Sequence, residues 1–239
     1  MRHLLERLLQ RLLPEHRKRL SQRFHRLSRP AWLGTLRRTD PLSDHWGFDR
    51  GTPVDRYYIE RFLEAHRQDI RGHVLEVQDT AYTDRYGAAV ERRDVLDIDP
   101  TNPMASIVAD LAAADSIPSD TFDCFVLTQT LLLIYDLRSA ISHAHRILRP
   151  GGVLLVTVPA VSRVCRLKTD YWRFTVASCS ALFGEVFGPD QITVQSHGNV
   201  LTAVAFLAGM AREELSSSEL DTHDEYIPLV ITVRAVKRT

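Results

Sequence analysis

Three acidic residues stand at the ends of three successive predicted strands. Glu76 lies in the first strand, Asp97 lies close to the end of the second, and Asp110 directly follows the third. Carboxylates at this edge of a parallel sheet can accept hydrogen bonds from an amine, a ribose diol or an exocyclic amino group. A ligand that contains a nucleoside presents these groups, whereas a single acid is more simply a cap of a loop or helix. Three acids in order favour the ligand.

The strands that position these acids are recognised from one continuous block, residues 122–159. The block reads as a buried strand, a polar tip, an amphipathic helix over 137–148, a sharp turn and a second buried strand. Pro150 ends the helix, and Gly151 and Gly152 permit the positive φ that a helix-to-strand reversal often needs. A strand–helix–strand unit of this kind predicts a parallel sheet with a right-handed crossover.

The rest of the chain continues this alternation of strands and helices. One helix is predicted from Thr52 to about His66, with Thr52 as its cap, Pro53 in its first turn and Asp55 near its positive end. A second helix is predicted over 201–215, followed by a serine cluster at 216–218 that forms a loop and a cap. The predicted strands occupy residues 73–77, 94–98, 105–109, 123–127, 153–158, 191–195 and 227–236.

The composition fits one α/β domain with an appendage, because 44% of the 239 residues are hydrophobic. The formal net charge is zero, but residues 1–40 hold eleven Lys and Arg against three Asp and Glu. A globally neutral protein with a basic head is not expected to bind nucleic acid in general. Three cysteines without metal-ligand spacing indicate a reducing compartment and no metal site. With no long apolar run and no signal peptide, we expect a cytoplasmic protein.

Residues 1–27 form a basic amphipathic segment, in which leucines recur at helical spacing up to Pro14. We expect the chain to divide into this extension with its linker, residues 1–43, and a main domain, residues 44–239. Two interpretations of the extension stay open. It lies on a membrane surface, which would make the protein peripheral to the membrane, or it packs on its own domain or on a second copy in a homodimer.

Six short motifs follow one another along the main domain. They are Leu75-Glu76-Val77, Asp97-Ile98-Asp99-Pro100, Ala109-Asp110-Leu111, Ser116-Ile117-Pro118, Phe122-Asp123 and Leu148-Arg149-Pro150-Gly151-Gly152. This order resembles a class I S-adenosylmethionine-dependent methyltransferase of the methyltransferase type 11 kind. Five further motifs resemble bacterial methyltransferases of glycan and glycosylated-metabolite biosynthesis: Asp49-Arg50-Gly51-Thr52-Pro53, Thr80-Ala81-Tyr82-Thr83, Leu127-Thr128-Gln129-Thr130, Asp170-Tyr171-Trp172-Arg173-Phe174 and Gly198-Asn199-Val200.

The resemblance implies a Rossmann-like, doubly wound α/β fold with a mainly parallel seven-stranded sheet and an antiparallel last strand. It also implies S-adenosylmethionine as the cofactor. By resemblance, Glu76 lies near its methionine portion, Asp97 binds the ribose, Asp110 contacts the adenine amino group and Leu111 flanks the adenine. The remaining cofactor contacts implied are Gln78 in the first loop, Thr128 and Gln129 near the sulfonium, and Tyr57 on a helix that closes over the cofactor.

The chain departs from the family pattern in two places. The first loop of the family usually reads Glu-x-Gly-x-Gly, whereas here Gln78 and Thr80 occupy the glycine positions. If Gln78 adopts a positive φ, we expect strain on the order of 1–2 kcal/mol. The second departure is at Leu132 and Leu133, where many relatives carry Glu and His. These leucines remove a possible acid–base pair.

The implied reaction is methyl transfer to a sugar hydroxyl of a glycan, glycolipid or glycosylated metabolite. A sulfonium is already activated, so the protein has to align the nucleophile and exclude water. A hydroxyl still benefits from a general base, for which Asp170 and His197 are the candidates. Tyr171 and Trp172 could stack on a sugar face or pack in the core, and Arg173 could grip an anionic group or pair with a structural acid.

A second function belongs to another class of protein, a catalytically degenerate methyltransferase-fold module that binds or scaffolds a partner. The glycine-free first loop and the two leucines motivate this alternative, because a fold alone does not define an activity. A nicotinamide-dependent dehydrogenase is a distant third possibility, since no Gly-x-Gly-x-x-Gly motif follows any predicted strand.

Overall fold

The computed structural model describes Leu20, Leu27, residues 34–165 and residues 168–239. These residues belong to two compact units, one up to Asp40 and one from Pro41 to Thr239. The described part of the first unit holds a single 3₁₀ turn, Gly34–Leu36. The predicted amphipathic helix of residues 1–27 lies outside the described residues, apart from the exposed Leu20 and Leu27.

The second unit is built on one sheet, in which the described residues form seven strands. The sheet order is β3-β2-β1-β4-β5-β7-β6, and β7 runs antiparallel to β5 and β6 while the pairs β3–β2, β2–β1, β1–β4 and β4–β5 are parallel. The predicted fold class is therefore confirmed. The strands are β1 (Arg71–Val77), β2 (Ala89–Asp97), β3 (Ile107–Val108), β4 (Phe122–Thr128), β5 (Leu148–Pro159), β6 (Ile192–His197) and β7 (Val230–Val236).

Helices cover both faces of this sheet, as the alternation of buried residues along β4 shows. Phe125 packs in a cluster with helices α3 and α4, whereas Cys124 and Val126 pack in another cluster with helix α1. Successive side chains of a strand point to opposite faces, so both faces of β4 are buried. The helices of the unit are α1 (Val54–Ala65), α2 (Ala81–Tyr86), α3 (Leu137–Ile147), α4 (Val176–Phe187), α5 (Val200–Ala208) and α6 (Ser217–Asp221).

The turn between α3 and β5 is tighter than expected. The strand begins at Leu148, directly after the helix, and includes the predicted turn. Gly151 has the positive φ of 77° that the sequence predicted, whereas Gly152 does not. Gly152 is needed for space, because a Cβ there would lie 2.8 Å from the carbonyl oxygen of Arg149.

Several helix ends differ from the expectation. Thr52 does not cap α1, because Pro53 takes the N-cap position without a side-chain hydrogen bond. Helix α5 ends at Ala208 rather than near 215, because Gly209 adopts the left-handed conformation that closes a helix. The predicted serine cap is confirmed, since Ser216 accepts a hydrogen bond from the Glu219 backbone at the start of α6.

Candidate functional site

A cleft of about 870 Å³ opens at the carboxyl ends of β1, β2 and β4. Its position agrees with the general rule that open parallel sheets bind ligands beyond the carboxyl ends of their strands. The cleft brings together seven of the eight residues that the sequence predicted as cofactor contacts. They are Glu76, Gln78, Asp97, Asp110, Leu111, Thr128 and Gln129.

Glu76 is the most buried acid of the cleft, with 2% of its surface exposed. Its carboxylate accepts hydrogen bonds from the backbone N–H groups of Tyr82, at 3.0 Å, and Thr83, at 2.7 Å. Burial nevertheless raises the Glu76 pKa to about 7, because the charged form is poorly solvated there. Through these hydrogen bonds, Glu76 connects the end of β1 to the first turn of α2. The sequence analysis did not predict helix α2.

Asp97 and Asp110 line the cleft from the ends of β2 and β3. The Asp97 carboxylate accepts hydrogen bonds from the Asn102 side chain, at 2.7 Å, and from the Asp99 backbone, at 3.0 Å. Asp110 caps the 3₁₀ turn Leu111–Ala113 through the Ala112 N–H at 2.9 Å. Asp110 therefore has the capping role that the sequence analysis considered as an alternative. Among the described contacts, this role uses only one of the two Asp110 carboxylate oxygens.

The first loop adopts the conformation that its missing glycine would have supplied. Gln78 has a φ of 75°, which lies in the left-handed region. Its backbone is held on both sides, because its N–H donates to the Leu96 carbonyl at 3.0 Å and its carbonyl accepts from the Asn102 side chain at 2.8 Å. These two bonds keep the loop in a shape that an L-residue adopts at a cost.

Gln129 lies at the tip of β4, also with a positive φ, of 47°. Its backbone N–H donates to the Thr157 carbonyl at 2.8 Å, which holds the tip against β5. The side-chain Nε2 of Gln129 is buried and has no hydrogen-bond partner among the described residues. Since an unpaired buried donor is costly, this amide nitrogen is available to a ligand in the cleft.

The opposite mouth of the cleft is aromatic. Tyr135 and Tyr171 line it, are 70% and 46% exposed, and have ring centroids 5.4 Å apart. Trp172 stacks behind Tyr135 at 6.1 Å, and its indole N–H donates to the Ile134 carbonyl at 3.0 Å. Leu133 lies in the same wall, so one of the two leucines faces the cleft while Leu132 is buried.

The prediction that Asp170 is a general base is contradicted by its contacts. Arg173 donates to both of its oxygens, at 2.5 and 3.0 Å, and the Cys165 backbone N–H donates to one of them. The Asp170 side chain is almost fully buried, and the hydrogen bond from Arg173 lowers its pKa. Arg173 also donates to the carbonyl oxygens of Ser162 and Arg163. The pair is structural, and Arg173 does not line the cleft.

Tyr57 and His197 were also expected at the site, and the structure places both outside the cleft. They line a separate, smaller pocket on the other side of α1. The Tyr57 hydroxyl donates to Asp221 at 2.6 Å. His197 is stacked on Tyr58 and bonded to the Thr232 hydroxyl at 2.9 Å, and burial lowers its pKa to about 4. An imidazole held there cannot reach a ligand in the cleft.

The sequence analysis did not predict several of the polar and aromatic residues that line the cleft, among them Arg56, Tyr82, Tyr135 and Lys168. Arg56 precedes Tyr57 on α1, so the prediction chose the right helix and the wrong face. Tyr82 carried a usable signal because it lies within the motif Thr80-Ala81-Tyr82-Thr83, and Tyr135 because it follows the tip of β4. Lys168 lies in the long loop after β5 and carried none.

Comparisons with known proteins agree with this geometry. Residues 72–156 match the family described as a methyltransferase domain. A S-adenosylmethionine-dependent methyltransferase from Archaeoglobus fulgidus is 12% identical over 76% of this chain and 94% of its own, with a TM-score of 0.51. A chain of the Haloferax volcanii complex between the Trm112 methyltransferase activator and a putative methyltransferase is 14% identical over 82% and 98%, with a TM-score of 0.50. Curated proteins gave no match.

The family match is confined to residues 72–156, and the fold of the second unit is that of class I S-adenosylmethionine-dependent methyltransferases. The cleft fits the cofactor, because it combines strand-end carboxylates with the unpaired amide nitrogen of Gln129. If S-adenosylmethionine binds here, Asp97 would hold the ribose and Asp110 the adenine amino group, and the cofactor would supply an activated methyl group on a sulfonium.

Proposed function

We propose that this chain is an S-adenosylmethionine-dependent methyltransferase rather than a degenerate binding module, and that it methylates a sugar hydroxyl of a glycan, glycolipid or glycosylated metabolite. The observation that carries the proposal is the aromatic mouth of the cleft, formed by Tyr135 and Tyr171 with Trp172 behind them. Apolar faces of sugars stack on aromatic rings, while their hydroxyls point to the rim. The exposed phenol groups, with Thr169 and Lys168 beside them, offer polar partners to those hydroxyls.

The residues of this chain have two tasks in such a reaction. They align the acceptor oxygen with the methyl group, and they keep water away from the reacting atoms. Leu133 and Ile134 supply the apolar wall next to the strand tip with Thr128 and Gln129. Bound S-adenosylmethionine would supply the methyl group and leave as S-adenosylhomocysteine, and the acceptor hydroxyl would give up its proton to water at the exposed mouth of the cleft. Asp170 serves this step indirectly, because its pair with Arg173 holds the loop from which Tyr171 projects.

Transfer of a radiolabelled methyl group to a panel of acceptors tests the proposal. The panel should contain mono- and oligosaccharides, a phenol and a primary amine, and the product should be located by mass spectrometry. We expect a methyl ether on a sugar, and a rate that falls at least about tenfold in Tyr135→Ala and Tyr171→Ala. Tyr226→Ala is the matched control, because Tyr226 is 86% exposed and lies outside the cleft. Labelling of the phenol or amine alone would contradict the sugar acceptor.

The basic segment of residues 1–27 is a separate proposal, in which it contacts a membrane surface or a second copy of the chain. Its support is its composition, since residues 1–40 are strongly basic. No helix in the described part of the chain is long and apolar enough to span a membrane. Flotation with anionic liposomes should recover the full chain but not a chain that begins at Pro30. Equal recovery would contradict membrane contact, and a concentration-dependent mass would indicate the second copy.

A further inference from the structure

Two cationic side chains line the cleft, Lys168 in the loop after β5 and Arg56 on α1. Arg56, in the first turn of α1, lines the cleft beside the first loop, together with Asp79 and Tyr82. The pKa of Arg56 is raised although burial opposes its charge, because Asp55 and other acidic groups, Tyr82 and Asp79 among them, outweigh burial. The cleft lining near Asp97 and Asp110 includes no arginine among the described residues. Arg56 is therefore the arginine of the described cleft lining.

The guanidinium of Arg56 is incompletely satisfied within the protein. Its only hydrogen bond among the described residues is a long one, 3.5 Å from Nη1 to the Asp55 carboxylate. Its face lies 6.0 Å from the centre of the Phe48 ring, and its side chain is 29% exposed. A guanidinium has five N–H donors in a planar fork, so most of these donors remain available to a ligand.

Asp55 is the acid that contacts this guanidinium within the protein. Asp55 is buried in the first turn of α1, and its Oδ1 has no hydrogen-bond partner among the described residues. Burial raises its pKa above the ordinary value for an aspartate. The Asp55 carboxylate contacts one nitrogen of the Arg56 guanidinium and leaves its other N–H donors unpaired by Asp55. An anion from the cleft would complete the arrangement.

We propose that Arg56, positioned by Asp55, binds the carboxylate of the amino-acid part of the cofactor. The two charges of an amino acid need a cation and an anion, and the cleft offers the guanidinium of Arg56, which interacts electrostatically with Asp79, together with the carboxylate of Glu76 in the same lining. The glycine-free loop gives a further reason. The Cβ of Gln78 limits how closely a ligand approaches the loop backbone, so a side-chain receptor for the anion replaces contacts that the loop cannot make.

Titration calorimetry with two ligands tests this assignment without the acceptor or turnover. S-adenosylhomocysteine carries the amino-acid group, whereas 5′-methylthioadenosine keeps the nucleoside and the sulfur but lacks it. In Arg56→Gln we expect the affinity for S-adenosylhomocysteine to fall about 10- to 100-fold, as for loss of hydrogen bonds between charged groups. The affinity for 5′-methylthioadenosine should stay within about twofold. Arg56→Lys should recover part of the loss, because it restores the charge but not the fork.

Arg61→Gln is the matched control. Arg61 lies on the same helix but pairs with Asp221 and Tyr57 outside the cleft, so neither affinity should change. Equal losses for both ligands in Arg56→Gln would show a merely structural role, and no loss would show that Arg56 does not bind the carboxylate; either result overturns the assignment. The inference rests on the proposed function only through the cofactor. A failed sugar assay with intact Arg56-dependent binding would refute the acceptor alone.

Discussion

Replacing Gln78 by glycine is the sharpest test of how the first loop works. Gln78 holds a φ of 75°, and its backbone is bonded to the Leu96 carbonyl and to the Asn102 side chain. Its side chain is exposed and makes no hydrogen bond among the described contacts. Gln78→Gly therefore removes the Cβ that strains the left-handed conformation and sacrifices no side-chain hydrogen bond that the structure describes. Gln78→Ala is the control, because it removes the same amide and keeps the Cβ.

The expected magnitude follows from two opposing terms. The left-handed conformation costs a residue with a Cβ about 1–2 kcal/mol of folding free energy. Glycine relieves this strain but adds freedom to the unfolded chain, which costs about 0.5–1 kcal/mol. Gln78→Gly should therefore be about 0.5–1 kcal/mol more stable to unfolding than Gln78→Ala. For a domain of this size the difference corresponds to a few degrees in Tm.

Urea unfolding of the two variants and the natural protein, each without ligand, measures this difference. Calorimetry with S-adenosylhomocysteine supplies the second measurement, in which the glycine variant should bind more tightly because the ligand can approach the loop backbone. Alanine as stable as glycine would show that position 78 is not strained. Equal ligand affinity in both variants would show that the Cβ does not obstruct the cofactor.

Three further outcomes are expected. Asp97→Asn should weaken S-adenosylhomocysteine binding about tenfold in calorimetry while the domain stays folded, and unchanged affinity would mean that the ribose is bound elsewhere. Gly152→Ala should cost about 1–3 kcal/mol in urea unfolding, because the new Cβ would lie 2.8 and 3.0 Å from two carbonyl oxygens. Gly184→Ala in α4 is its control and should not destabilise, since the nearest atom is 3.6 Å away. The Glu76 pKa of about 7, against 4.5 ordinarily, predicts that the unfolding free energy falls as pH rises from about 4.5 to 7. The fall relative to Glu76→Gln should be about 3 kcal/mol, and parallel pH curves would contradict it.

The positions of the strand-end acids could be predicted from the sequence because they depend on topology. The period of a buried strand and the turn after it locate the strand's end, and a parallel sheet gathers such ends at one edge. Glu76, Asp97 and Asp110 meet in one cleft for this reason. The positive φ of Gln78 could be anticipated as well, since the loop has to reverse between β1 and α2 with or without a glycine.

The residues of the helices and the long loop were harder to predict because one position decides the direction of a side chain. Tyr57 and Arg56 are neighbours on α1, and about 100° of helical rotation separates a residue bonded to Asp221 from one that lines the cleft. No apolar stripe distinguishes these two faces at the start of α1. The third strand was predicted too long, as residues 105–109 rather than Ile107–Val108, and helix α2 was not predicted. Both elements are too short for their hydrophobic periodicity to be recognised.

Asp170 shows why a suitable residue type in a suitable loop does not make a base. A base in a cleft needs a pKa near the working pH and an unoccupied lone pair, and Arg173 removes both by donating to the two Asp170 oxygens. The Asp170–Arg173 ion pair instead stabilises the conformation of the loop. The described residues between Ala160 and Thr175 form no helix or strand. The hydrogen bonds of Arg173 to Ser162, Arg163 and Asp170 fold this loop back on itself. The exposed ring of Tyr171 can line the cleft because the ion pair next to it is satisfied and turned away.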